Sequence, residues 1–189
     1  QGYSSAASDV YKRQVPMVMP IWMSLDMQNL TAYQAGKNVP HIYGNAFFNI
    51  YTWGGTALGL VLLMLFFAKS KRFKTLGKVA IIPALFGITE PVIFGTPLVL
   101  NFDFFVPFVT NNAIAVMIAG LCTKLGLVAR CTGAQPVFGL PLGFHALLGG
   151  HISIVVLVLI IQLIISPLLW YPWFKMADNK AAAEESSKN

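Results

Sequence analysis

Long apolar runs separated by short polar links dominate the chain. Residues 15–25 are apolar but too short to cross about 30 Å of hydrocarbon, which takes roughly 20 helical residues. They read as the stump of a helix or part of a re-entrant segment. Residues 26–41 are polar and contain Gly36 and Pro40, as a loop or a helix packed away from lipid would. Residues 46–68 carry no charge and form the first convincing span. Gly54, Gly55 and Gly59 inside it suit close helix packing, with a break lining a cavity as the other reading. Residues 79–100 are apolar but carry Pro83, Pro91 and Pro97, with Gly87 and Gly95 between them. Proline removes a backbone donor and clashes with the preceding turn, so this pattern predicts a discontinuous, re-entrant segment rather than one clean helix. Residues 104–123 form a second span, interrupted by Pro107 and Asn111-Asn112. Residues 132–150 are Gly- and Pro-rich and again hairpin-like. Residues 152–171 are the clearest helix, rich in β-branched residues and Leu, with Gln162 inside it. Trp170, Tyr171 and Trp173 at its end read as an interfacial aromatic belt. The pattern predicts an all-α integral membrane fold in which transmembrane helices alternate with broken, re-entrant hairpins.

Composition sharpens this picture. The chain is 56% hydrophobic and only 11% charged, against about 25% charged for ordinary soluble domains. The net charge of +6 does not point to nucleic acid, because Lys69, Lys71, Arg72, Lys74 and Lys78 cluster between apolar runs. Such a cluster marks a cytoplasmic loop. From it, 79–100 enters and returns, 104–123 crosses outward, 132–150 enters and returns, and 152–171 crosses inward. The C-terminus then lies in the cytoplasm. Residues 1–14 lack the apolar core of a signal peptide and read as a non-native or disordered leader. Residues 176–189 are small, polar and charged, and read as a disordered tail. Cys122 and Cys131 have no metal-type spacing and read as inert. Neither a metal cluster nor a cofactor fingerprint is present in the sequence, so no cofactor is expected.

Glu90 stands out, in Thr89-Glu90-Pro91 within a Pro/Gly-broken apolar segment. An ionised carboxylate in the bilayer costs at least about 2.5 kcal/mol, a cost borne where the group faces a cavity. Paired with a neighbouring cation it ties helices together. In a broken segment it binds a polar solute or takes a proton from one. Trp53 could stack on a sugar ring or simply pack. Asn101 and Asp103, just after the broken segment, either cap it or line the path. His41 reads as a loop or interface residue, and His145 and His151 as structural hydrogen-bonding residues.

The stretch 87–101, Gly-Ile-Thr-Glu-Pro-Val-Ile-Phe-Gly-Thr-Pro-Leu-Val-Leu-Asn, resembles the signature of the lactose/cellobiose (diacetylchitobiose) type of phosphotransferase-system enzyme IIC. Pro40-His41-Ile42, Trp53-Gly54-Gly55-Thr56-Ala57-Leu58 and Lys69-Ser70-Lys71 are similar to that family in the same order. The resemblance covers 15–175, which it implies is the C-terminal part of an enzyme IIC sugar-transport domain. It further implies a bacterial inner-membrane permease, a homodimer when full length. Such a permease binds a β-linked disaccharide and presents it to phosphorylated enzyme IIB, with IIA upstream. The phosphoryl-carrying cysteine belongs to IIB, so enzymatic activity would reside in the complex. The family's essential glutamate maps onto Glu90. Thr89, Asn101, Trp53 and Gly54 are the accompanying sugar-site candidates. The family's Gly-x-His-Gly segment, whose His also binds sugar, would lie just before Val15. Cys131-Thr132-Gly133-Ala134-Gln135-Pro136 stands where many members have Pro-Trp-Thr-Thr-Pro, which leaves the particular sugar open. An ion-coupled transporter using Glu90 for protons and a structural membrane subunit are the alternatives from other classes.

Overall fold

The structure, a computed structural model, describes residues 2–96, 102–137 and 139–187, and every regular element among them is helical. Helix α1 (Gly2–Gln34) includes most of the stretch expected to be a leader, and carries the short apolar run 15–25 on into the polar stretch. It stops where Gly36 takes φ 68° and the amides of Gly36 and Lys37 bond back to Tyr33 and Ala32, a left-handed stop that suits glycine. Asn29 binds both the N–H and the C=O of His41 and so folds the following loop back onto α1.

The span expected over 46–68 is not continuous. Helix α2 (Asn45–Tyr51) leads into a 3-10 turn (Trp53–Thr56), then α3 (Ala57–Phe67). Gly54 and Thr56 both adopt φ 55° at the break. A break inside apolar surroundings frees carbonyls that need donors. They come from a distant helix. Gln162 Nε2 donates to Trp53 O (3.1 Å), while Ser166 Oγ (2.7 Å) and Trp170 Nε1 (3.3 Å) donate to Thr56 O. The donor helix runs from α8 (Ile152–Ile160) through one π-turn (Ile161–Ile165), so its own backbone irregularity lies beside the break it repairs. Gly59, one turn on, serves close packing as expected, since a Cβ there would run into Ser166.

Both Pro/Gly segments double back. Helix α4 (Lys71–Leu85) turns at Gly87, φ 78°, into α5 (Glu90–Gly95). Gly95 returns against Leu76, and Arg72 Nη2 donates to Gly95 O at 3.3 Å. After α6 (Phe102–Lys124) a second hairpin is closed at its base by Thr132, whose N–H and hydroxyl donate to Gly149 O and Leu148 O. Its tip, with the short α7 (Phe144–Leu147), reaches the first hairpin, and Leu142 N–H donates to Leu85 O at 2.8 Å.

Two apolar clusters join these parts. One packs α3 and α4 against α6 and the last helix around Phe73, Phe104 and Trp170. The other packs α2 against α6 and α8 around Phe47, Tyr51 and Ile154. Among the described residues, 106–124 and the continuous helix 152–187 are long and apolar enough to cross a membrane. Phe66, Phe67, Ile82, Phe94 and Met117 point outward, the arrangement a lipid-embedded helical protein requires.

Two sequence expectations change here. Trp170 is fully buried against Phe104 and hydrogen-bonded, so it is a core residue. Of the expected belt, Tyr171 is exposed and Trp173 half-buried. Much of the stretch expected to form a disordered tail is helical: α9 (Ser166–Ser186) continues into it. Two of its acids are fastened. Buried Asp178 accepts from the amides of Lys69 (2.8 Å) and Ser70 (3.0 Å), and Glu185 accepts from the Ser70 hydroxyl and the amides of Lys71 and Arg72.

Candidate functional site

The break in 46–68 and the two hairpin tips converge on one cavity of about 300 Å³, lined by Asn49, Thr52, Trp53, Gly54, Gly87 and Pro136. Each lining group is placed by local chain chemistry. Asn49 and Thr52 sit three residues apart at the end of α2, so they share a face. Thr52 Oγ1 donates to Phe48 O (2.8 Å), which leaves its lone pairs turned outward. Gly54 and Gly87 let two backbones touch. A Cβ on Gly54 would lie 3.2 Å from Gly87 Cα and 3.5 Å from Thr89 Cγ2. A Cβ on Gly87 would lie 2.7 Å from the Trp53 ring.

Trp53 is only 8% exposed. His145 stacks on its indole with centroids 4.1 Å apart and planes 9° apart, and His145 Nε2 meets Ile50 O at 3.2 Å. The stack covers one indole face. What remains of Trp53 faces the cavity, and His145 fixes where the indole sits.

A polar relay buttresses the Pro136 side. Buried Asp26 accepts from Ala46 N–H (2.9 Å) and from Gln135 Nε2 (2.7 Å), while Gln135 Oε1 accepts from Asn45 Nδ2 (2.7 Å). This joins α1, the start of α2 and the second hairpin just before Pro136. Gly133 makes the approach possible, because a Cβ there would run into Asp26 O.

Glu90 is the first residue of α5, immediately after the Gly87 turn, and its side chain is exposed. No described residue forms an ion pair or hydrogen bond with its carboxylate. Thr89 precedes it as the N-cap without a side-chain capping bond. The structure thus brings Trp53, Gly54, Gly87 and Thr89 into contact and sets Glu90 next in the chain, though not on the cavity wall itself. Asn101 lies outside the described residues. Sequence reasoning missed Asn49, Thr52 and Pro136. The signal for the first two was a polar i, i+3 pair inside an apolar run. The Asp26–Gln135–Asn45 relay joins residues far apart in the chain and left no local signal. Neither cysteine reaches the cavity wall: Cys131 is buried and Cys122 half-buried on α6. Among the described residues no cluster of His, Cys, Asp and Glu could hold a metal.

A family model described as "Phosphotransferase system, EIIC" matches residues 14–111. The oligo-beta-mannoside-specific EIIC component of Bacillus subtilis (strain 168) is 34% identical over 89% of this chain and 39% of its own length. The cellobiose-specific EIIC component of Geobacillus stearothermophilus is likewise 34% identical, over 89% of this chain and 39% of its own. The crystal structure of the transporter ChbC, the IIC component from the N,N'-diacetylchitobiose-specific phosphotransferase system, superposes with a TM-score of 0.86. It is 36% identical, over 91% of this chain and 41% of that one. The chain spans about two-fifths of the length of these relatives.

Proposed function

Because the chain belongs to the phosphotransferase-system EIIC family, we propose that it supplies half of the sugar site of a permease that phosphorylates what it carries. The family consists of integral membrane proteins of the bacterial plasma membrane. The substrate proposed is a β-linked disaccharide, the class to which the names of the cellobiose and diacetylchitobiose relatives belong. The phosphoryl donor proposed is a phosphocysteine on a IIB partner charged by IIA, approaching from the Lys69–Lys78 side. The proposal extends to a homodimer and to a C-terminus on that same, cytoplasmic side.

One observation carries the reading: an exposed glutamate with no partner among the described residues, at the tip of a re-entrant hairpin next to a cavity walled by a broken helix. The cavity takes a sugar ring. The Asn49 amide and Thr52 oxygen offer hydroxyl partners, and the Trp53 indole offers an apolar wall. Glu90 then accepts a hydrogen bond from the hydroxyl to be phosphorylated. As that oxygen bonds to phosphorus the S–P bond to the IIB cysteine breaks, the thiolate leaves, and the hydroxyl proton passes to Glu90. Thr89 and Gly54 hold the hairpin tip against the broken helix, and the proposal keeps Asn101 as a further sugar contact. Buried Cys131 and half-buried Cys122 are poorly placed to carry the phosphoryl group themselves.

The test compares wild type with Glu90→Gln in a permease that includes this chain, supplied with disaccharide and phosphorylated IIB. Phosphosugar formation is expected to fall at least about 100-fold, the scale of lost acid–base catalysis, with the melting temperature unchanged. Unchanged phosphorylation would overturn the assignment. Proton-coupled uptake without phosphosugar would overturn the permease reading as a whole.

A further inference from the structure

A second pocket lies at the opposite end of the fold from the Lys69–Lys78 cluster, which the structure places at the start of α4 rather than in a loop. It encloses about 520 Å³, and its wall includes Tyr33, Lys37, Asn38, Arg130, Thr132 and His151. The wall carries cationic and hydrogen-bond-donating side chains and no carboxylate. The one acid near this end, Asp26, is buried and bonded to Ala46 and Gln135.

Most of these donor groups have no described partner. The Lys37 ammonium forms no ion pair or hydrogen bond with any described residue. Arg130 uses Nη1 on the carbonyls of Val39 (2.9 Å) and Pro40 (2.7 Å), which orients the guanidinium and leaves Nε and Nη2 without a described partner. His151 is the N-cap of α8, yet its side chain makes no capping bond. An oriented guanidinium, an ammonium and an imidazole around one pocket form a donor set for a phosphate oxyanion.

Depth adds to the chemistry. The continuous helix from His151 to Asp178 is about 40 Å long at roughly 1.5 Å per residue. That matches a bilayer of about 40–45 Å with its headgroups. With the Lys69–Lys78 cluster at one headgroup layer, the pocket opens at the other. Lipid phosphates lie at this depth, within reach of the pocket's oriented donors. We infer that this pocket binds a phosphate group presented by an anionic bilayer lipid.

The experiment places a purified permease that includes this chain in nanodiscs of phosphatidylcholine containing phosphatidylglycerol and counts retained lipid by native mass spectrometry. Wild type is expected to retain phosphatidylglycerol in preference to phosphatidylcholine. The Lys37→Gln/His151→Gln double variant is expected to lose that preference at least tenfold. Both side chains are exposed and have no partner among the described residues, so folding is expected to be untouched. Lys124→Gln, on the same end but off the pocket wall, is expected to behave as wild type. Adding inorganic phosphate separates the sources. Displacement of the lipid by phosphate supports the phosphate site and makes free phosphate a ligand, whereas lipid that resists displacement supports the headgroup alone. Equal retention of the two lipids by wild type, or an undiminished preference in the double variant, overturns the proposal.

Discussion

The two ends of α4 carry acids put to opposite uses. At the start of the helix, Asp178 and Glu185 reach across from α9 and accept hydrogen bonds from four consecutive residues, 69–72. Past its end, Glu90 follows the Gly87 turn with an exposed carboxylate that no described residue engages. A carboxylate has about four lone-pair sites. Where the fold fills them the acid is a fastener, and where it leaves them open the acid is available to something that arrives. The same difference separates buried Asp26, bonded to Ala46 and Gln135, from Glu90.

The sharpest way to break this comparison is to remove a fastener. Asp178→Ala strips the buried amide of Ser70 and the part-buried amide of Lys69 of their acceptor, and an unsatisfied buried amide costs about 1–3 kcal/mol. A loss of about 3 kcal/mol is expected, read as a drop of several degrees in detergent melting curves. Asp178→Asn keeps one acceptor and should lose about half as much. A melting curve identical to wild type would show that the clasp does not hold α4. Next comes the turn at the other end. Gly87→Ala puts a Cβ at a φ of 78° and 2.7 Å from Trp53, combining a left-handed backbone with overpacking at about 1–3 kcal/mol. The variant is expected to push Trp53 off His145, read as a change in tryptophan emission together with weaker sugar binding. Unaltered emission would mean that the hairpin tip is looser than the contacts imply.

The legible parts of the fold and the illegible ones differ in where their determinants lie. The hairpins were readable because Pro83, Pro91, Gly87 and the Gly-rich run near 143–150 act on their own backbone. Glu90 was readable because a carboxylate in an apolar segment is conspicuous. The break at Trp53–Thr56 was underestimated. Thr56 at φ 55° is a conformation its residue type does not announce, and the donors that permit it, Gln162, Ser166 and Trp170, lie more than 100 positions away. The end of α9 was misread for the same reason. Asp178 and Glu185 look like solvated charges until the free amides at the start of α4 are brought to them. Trp170 looked like a belt residue because its Thr56 partner is invisible in the sequence.

The smallest effect belongs to Glu185 and depends on pH. Hydrogen bonds from the Ser70 hydroxyl and the amides of Arg72 and Lys71 hold its carboxyl below the ordinary value of 4.5. A group whose folded-state pKa is depressed adds stability that is fully present above its unfolded pKa and disappears as pH falls through the folded one. The clasp is therefore intact at neutral pH and begins to weaken below about pH 4.5. The difference in melting temperature between wild type and Glu185→Ala is expected to be small but constant from pH 7 to pH 5, then to shrink as pH falls further below about 4.5. Because the site is open to water, added salt should affect this difference little if the hydrogen bonds dominate. Salt would erase it if attraction to the nearby lysines did, since the Debye length falls to about 3 Å at 1 M. A difference that grew as pH fell would reverse the sign of the linkage and leave Glu185, like Glu90, outside the fastened acids.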